Sequence, residues 1–164
     1  MSVERWRRLL PGLWAGWLLC VALLATPAAF ALLPAAEAGR LASRMLAQEA
    51  YTSLALGVIV LVLERVAARR AGAGVDGQGS QFSTGMLLSL GTLFCTVAGY
   101  FAVLPMMQAA RAGQGALTFG QLHAISSAFY LVKVLLVLAL AWRAARPAAA
   151  AAPPVASPVT PSSS

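Results

Sequence analysis

The chain has 164 residues, 60% of them hydrophobic and only 10% charged, with a mean hydropathy of +0.78 and a formal charge of +7. The apolar residues are gathered into four long runs rather than scattered, which excludes a soluble globular domain and predicts an all-α integral membrane protein, a four-helix bundle partnered by the lipid bilayer. The basic charge is not a nucleic-acid signal, because the arginines flank apolar spans, where they act as determinants of topology.

A hydrocarbon core of ~30 Å takes ~20 apolar residues per helix, and spans are predicted at about 9–33, 45–63, 84–107 and 118–142. Arg5, Arg7 and Arg8 precede the first, Arg65, Arg69 and Arg70 follow the second, and Arg143 and Arg146 follow the fourth. Only Arg40, Arg44 and Arg111 fall on the other side. The imbalance predicts both termini and the middle loop in the cytoplasm, in a plasma membrane. The Ala- and Arg-rich, Lys-poor composition suggests a bacterial inner membrane.

The first span imitates a secretory signal, with Ala29-Phe30-Ala31 resembling a cleavage site. It is too long for that role, since a signal's apolar region runs ~7 to 15 residues, and retention is expected. Gly12, Gly16 and Cys20 recur every four residues and predict a face for close packing against another helix of the same chain. Pro27 predicts a bend that frees a backbone carbonyl. Pro34 to Arg44 reads as a short turn, with Glu37 able to pair with Arg40. Gln48 and Glu49 follow near the start of the second span, where Glu49 is expected to snorkel to the interface or pair with Arg40 or Arg44, a functional carboxylate being the alternative. Ala50, Ser53 and Gly57 continue a small face, and Glu64 lies at the cytoplasmic end.

Residues 71–83 are Gly-rich and polar, which predicts a flexible loop without a phosphate-binding pattern. The third span presents Ser89, Thr92, Thr96, Gly99 and Val103 on one face suited to helix packing, and Pro105 bends or ends it near Gln108 and Arg111. The fourth holds the only histidine. His123, Ser126, Ser127 and Tyr130 fall at i, i+3, i+4 and i+7, a single polar stripe, with Lys133 at its edge. Lys133 lies ~15 Å of helix rise from Arg143, too deep to snorkel easily, so it needs a partner inside the bundle: Tyr130, a serine or a freed carbonyl. The Ala-, Pro- and Ser-rich tail at 147–164 is expected to be disordered.

Antiparallel helices bring Thr26, Glu49, Gln108 and His123 to a similar level, which predicts an outward-facing polar pocket built from His123, Ser126, Ser127, Tyr130, Glu49, Gln108 and Lys133. No catalytic residue and no metal site are expected. A serine one turn from His123 on the same helix lacks the strained elbow of a nucleophile, so an enzyme is the less favoured reading. No cofactor is required, although His123 could ligate a haem iron axially.

The run Leu122-His123-Ala124-Ile125-Ser126-Ser127 with Tyr130-Leu131, together with Leu13-Trp14-Ala15-Gly16, Pro27-Ala28-Ala29-Phe30 and Pro105-Met106, resembles the transmembrane-protein-205-like family. That family's pattern has glycine after the histidine, where this chain has Ala124. The resemblance implies four membrane helices and carries no established chemistry. The leading expectation is a membrane protein that binds or passes a small molecule or ion. The alternatives are a haem- or quinone-linked redox protein and a membrane scaffold. The oligomeric state is left open.

Overall fold

In the computed structural model, residues 3–72 and 83–146 are described. Of the glycine-rich loop expected at 71–83, Ala71 and Gly72 instead end a helix and Ser83 caps the next, while the rest of it and the Ala/Pro/Ser tail lie outside the described residues. Four helices are long and apolar enough to cross a membrane: α1 (Val3–Leu32), α2 (Ala35–Gly72), α3 (Thr84–Arg111) and α4 (Phe119–Ala145). They run up and down. Each packs on the next, and α4 closes on α1, so α1 and α3 face one another across the bundle, as do α2 and α4. The α1–α2 and α3–α4 connections meet at one end, the hairpin end; the start of α1 and the end of α4 lie toward the other.

Short connections follow from local chemistry. Leu33 and Pro34 alone separate α1 from α2, and the Pro34 carbonyl accepts from Glu37 and Ala38 at 2.9 Å, starting α2 at once. The stretch from Pro34 to Arg44, expected as a turn, is therefore the first part of a helix of 38 residues. Its alanines favour that outcome. No Glu37–Arg40 ion pair forms among the described residues. At the other hairpin Gly113 takes φ +73°, donates to Ala110, and lets Gln114 donate to Ala109 at 2.9 Å. This Schellman closure needs the left-handed backbone that glycine supplies. Thr118 and Gln121 then cap α4 reciprocally, fixing where its polar stripe begins.

The surface is that of a protein bathed in lipid. Leu13, Leu23, Leu24, Phe30, Val62, Phe94, Leu131 and Leu135 are all exposed. The terminal half is tightly packed around Trp14, Leu18, Val60, Val134, Val137 and Leu140. Arg7 joins this end across helices, binding Glu64 at 3.1 Å and Glu4 at 2.9 Å.

Small residues divide into two groups. Ala50, Ser53, Gly57, Ser89, Thr92, Thr96 and Gly99 are buried, and the three α3 hydroxyls donate to the carbonyls one turn back. Gly12, Gly16 and Cys20 do the opposite: they point away from the bundle, and a side chain at either glycine would meet nothing. The packing face of α1 is instead Pro11, Trp14, Ala15, Leu18 and Val21, whose larger side chains bury more apolar surface. The two prolines inside helices of the hairpin half, Pro27 and Pro105, follow wide π-helical turns, at Val21–Ala25 and Val97–Ala102. Thr26 donates its hydroxyl to the Val21 carbonyl at 2.8 Å across the first of them.

These contacts set an expected contrast. Gly99→Val places a methyl-bearing carbon against Phe129 and lowers stability in detergent by about 1–3 kcal/mol. Gly12→Ala and Gly16→Ala, entering open space, leave thermal unfolding unchanged or raise its midpoint.

Candidate functional site

A cavity of about 640 Å³ occupies the hairpin half and is lined by all four helices. It falls within the ~300–1,000 Å³ range of small-molecule sites. The α1 wall includes Ala22 and Thr26, α2 contributes Gly39 and Leu46, and α3 brings Gly99, Tyr100 and Gln108. From α4 come His123, Ser126, Ser127 and Tyr130, the whole of the predicted stripe short of its deepest member. The two wide turns lie in these walls, through Ala22 on α1 and Gly99 and Tyr100 on α3.

The stripe splits between structure and cavity. Ser126 donates to the Gly99 carbonyl of α3 at 2.7 Å, and Tyr130 donates to the Leu18 carbonyl of α1 at 2.9 Å. His123 stacks on Phe119, with ring centroids 6.0 Å apart, and the Arg111 guanidinium sits 4.5 Å over the other aromatic ring, that of Phe119. His123, Ser127 and Gln108 are exposed into the opening.

Glu49 and Lys133 are not cavity wall. They lie beneath it, one turn deeper than Leu46 on α2 and Tyr130 on α4, and are 2% and 3% exposed. Lys133 Nζ donates to both Glu49 oxygens at 2.8 Å, and it also rides 4.6 Å over the Tyr130 ring. Ser53 donates to Glu49 Oε1, and the Trp14 indole donates to Ser53 Oγ at 3.0 Å. The expected pairing of Glu49 with Arg40 or Arg44 does not form. Those arginines lie more than a turn nearer the hairpin end, whereas Glu49 stands fourteen positions after the start of α2 and Lys133 fourteen after the start of α4. Both helices begin at the same end, so at ~1.5 Å per residue the two charges reach one depth, ~21 Å along.

The partner of Lys133 is thus a carboxylate across the bundle rather than the hydroxyl or carbonyl expected from sequence. Sequence reasoning also missed Trp14 and Ser53, which complete the network. Trp14 reads as an ordinary apolar residue unless its indole N–H is assigned a buried acceptor. Every buried side-chain nitrogen and oxygen among the described residues has a hydrogen-bond partner. Those residues hold no cluster of three or more His, Cys, Asp or Glu side chains arranged for a metal ion.

A family model described as Domain of unknown function (DUF4149) matches residues 9–116. The chain belongs to this family. The DUF4149 match spans α1 to α3, including Glu49 and Gln108, and ends before α4. No curated protein and no solved structure matches the chain.

The ion pair makes a sharp prediction. Glu49→Gln or Lys133→Met alone leaves one charge buried without its counterpart and costs about 3–5 kcal/mol. The double variant removes both charges and recovers most of the loss, which thermal unfolding of the four proteins in detergent would measure. Additive losses would mean that the two residues are not energetically coupled.

Proposed function

We propose that this chain is a multi-pass membrane protein that binds a small molecule in the cavity at the hairpin end. The observation that carries this reading is a cavity of about 640 Å³ walled by every helix and closed below by a buried ion pair. Such an opening admits a ligand from one side and holds it. The apolar wall suits a hydrophobic body, while His123, Ser127 and Gln108 are free to orient a polar group. The proposed role is binding without chemistry: among the described residues the Ser126 and Tyr130 hydroxyls of the cavity wall donate to backbone carbonyls rather than to a base.

The resemblance to transmembrane-protein-205-like sequences belongs to this proposal and is carried chiefly by His123, Ser126 and Ser127. The excess of arginine at the terminal end supports cytoplasmic termini with the cavity opening outward, and the Ala- and Arg-rich, Lys-poor composition supports a bacterial inner membrane. A cysteine placed at Gln114, between α3 and α4, should then react with an impermeant maleimide added to intact cells. Protection until the cells are lysed would reverse the orientation.

Gly39 provides the test of binding. It lies in the cavity wall with open space where a side chain would go. Gly39→Phe is expected to keep or raise helix stability while filling the cavity. Native mass spectrometry of both proteins extracted in a neutral detergent should show a bound mass on wild type that is lost from the variant. Absorption spectra of the same samples report any haem, whose Soret band would replace this reading with the redox one.

A further inference from the structure

The mouth of the cavity is built of arginine. A second opening of about 690 Å³ adjoins the first and shares Ala35, Gly39, Ser43 and Arg111 with it; its remaining wall includes Arg40 and Arg44. Arg40 and Arg44 are one turn apart on α2, where like charges destabilise each other. Arg111 reaches the rim from the end of α3, held over Phe119. Among the described residues, none of these three guanidinium groups has a carboxylate partner, although Glu37 lies on the same turn of α2 as Arg40. At the terminal end Arg7 and Arg8 are paired with Glu4 and Glu64, but Arg5, Arg65, Arg69, Arg70, Arg143 and Arg146 form no ion pair among the described residues, so what sets the hairpin arginines apart is their place at the opening of a cavity.

Three cations thus converge at the rim of an apolar chamber without an internal counter-ion. Guanidinium groups recognise carboxylate and phosphate oxygens through charge-assisted, often bidentate hydrogen bonds. Below them the chamber offers Leu46, Leu104, Met107 and Phe30. Charge at the mouth and apolar wall beneath specify an amphiphile in one orientation, head up.

We infer that the ligand is an anionic amphiphile, a carboxylate or phosphate head bound by Arg40, Arg44 and Arg111 with its apolar chain in the cavity. This rests on the binding role proposed above. The head could belong to a membrane phospholipid or to a free single-chain acid, and both present the same chemistry to the arginines.

The test uses the full chain in a neutral oxyethylene detergent, titrated with dodecanoate, dodecyl phosphate and dodecanol and read by native mass spectrometry. The anionic probes should bind about tenfold or more tightly than the alcohol, as expected for a hydrogen bond to a charged group. Replacing all three arginines by glutamine should erase that preference while leaving alcohol binding intact, and Gly39→Phe should remove all three probes. Arg111→Lys, which keeps the charge, should retain part of the preference. Repeating the measurement in nanodiscs of phosphatidylcholine with and without phosphatidylglycerol distinguishes the sources: displacement of dodecanoate by the anionic lipid identifies a phospholipid head, and its persistence a free acid. Either result supports the inference. Equal binding of alcohol and acid, unchanged in the arginine variant but lost in Gly39→Phe, would overturn it while leaving the binding role standing. Failure of every probe to respond to Gly39→Phe would overturn both.

Discussion

A lysine near the middle of a membrane helix is the constraint on which this bundle depends. Inserting Lys133 costs ~2.5–3.5 kcal/mol even on the forgiving translocon scale, and the cost grows if the ammonium finds no partner. Glu49 answers it from across the bundle, with 2.8 Å contacts to both carboxylate oxygens. Because α2 and α4 are diagonal, only long side chains meeting on the axis can join them. Their pairing therefore fixes the relative height of two helices that hardly touch otherwise. Trp14 and Ser53 extend the bond to α1, so three helices share one polar knot.

What lies on either side of that knot differs. Toward the termini the axis is filled by Leu18, Val60, Val137 and their neighbours. Toward the hairpins it is hollow, and the backbone shows why. Each of α1 and α3 carries a π-helical turn shortly before a proline, and a proline lacks the N–H that a regular ladder would require. The wider turn absorbs the irregularity and leaves carbonyls in need of donors. Ser126 reaches Gly99 in the α3 turn, and Tyr130 reaches Leu18 just ahead of the α1 turn. The stripe on α4 thus contacts each of the other helices once, through Ser126, Tyr130 and Lys133. Hydroxyl contacts of this kind are worth ~0.6 kcal/mol on average in a membrane, so the ion pair dominates and the hydroxyls refine.

Which parts of this were legible in the sequence follows the range of the interactions. The four helices were readable from run length alone, because lipid demands ~20 apolar residues whatever packs around them. The stripe from His123 to Lys133 was readable from its period, and the Thr118–Gln121 cap holds that period in place. The partner of Lys133 was not, since it depends on where a non-adjacent helix begins, and α2 begins at Ala35, well ahead of its most hydrophobic stretch. Nor was the facing of Gly12, Gly16 and Cys20, because a run of small residues permits close approach without compelling it. Trp14 and Leu18, offering far more surface to bury, turned α1 the other way. Gly99 and Gly57 were assigned correctly to packing faces for the converse reason: no larger side chain competes where Phe129 and Leu93 press on them.

The closed floor also bears on whether the cavity holds a molecule or passes it. A solute travelling along the bundle axis would meet the Tyr130 ring and then the Glu49–Lys133 pair, with a packed core beyond. Separating that pair leaves two uncompensated charges in a medium that hydrates neither, a cost of several kcal/mol before the core has opened at all. Entry from the mouth requires none of this, since the chamber is already formed and His123, Ser127 and Gln108 already face it. Passage would need a second arrangement of the bundle in which Lys133 has another partner. Within the arrangement described, a solute that entered from the mouth would have no low-cost exit at the terminal end, which is what the proposed binding role requires.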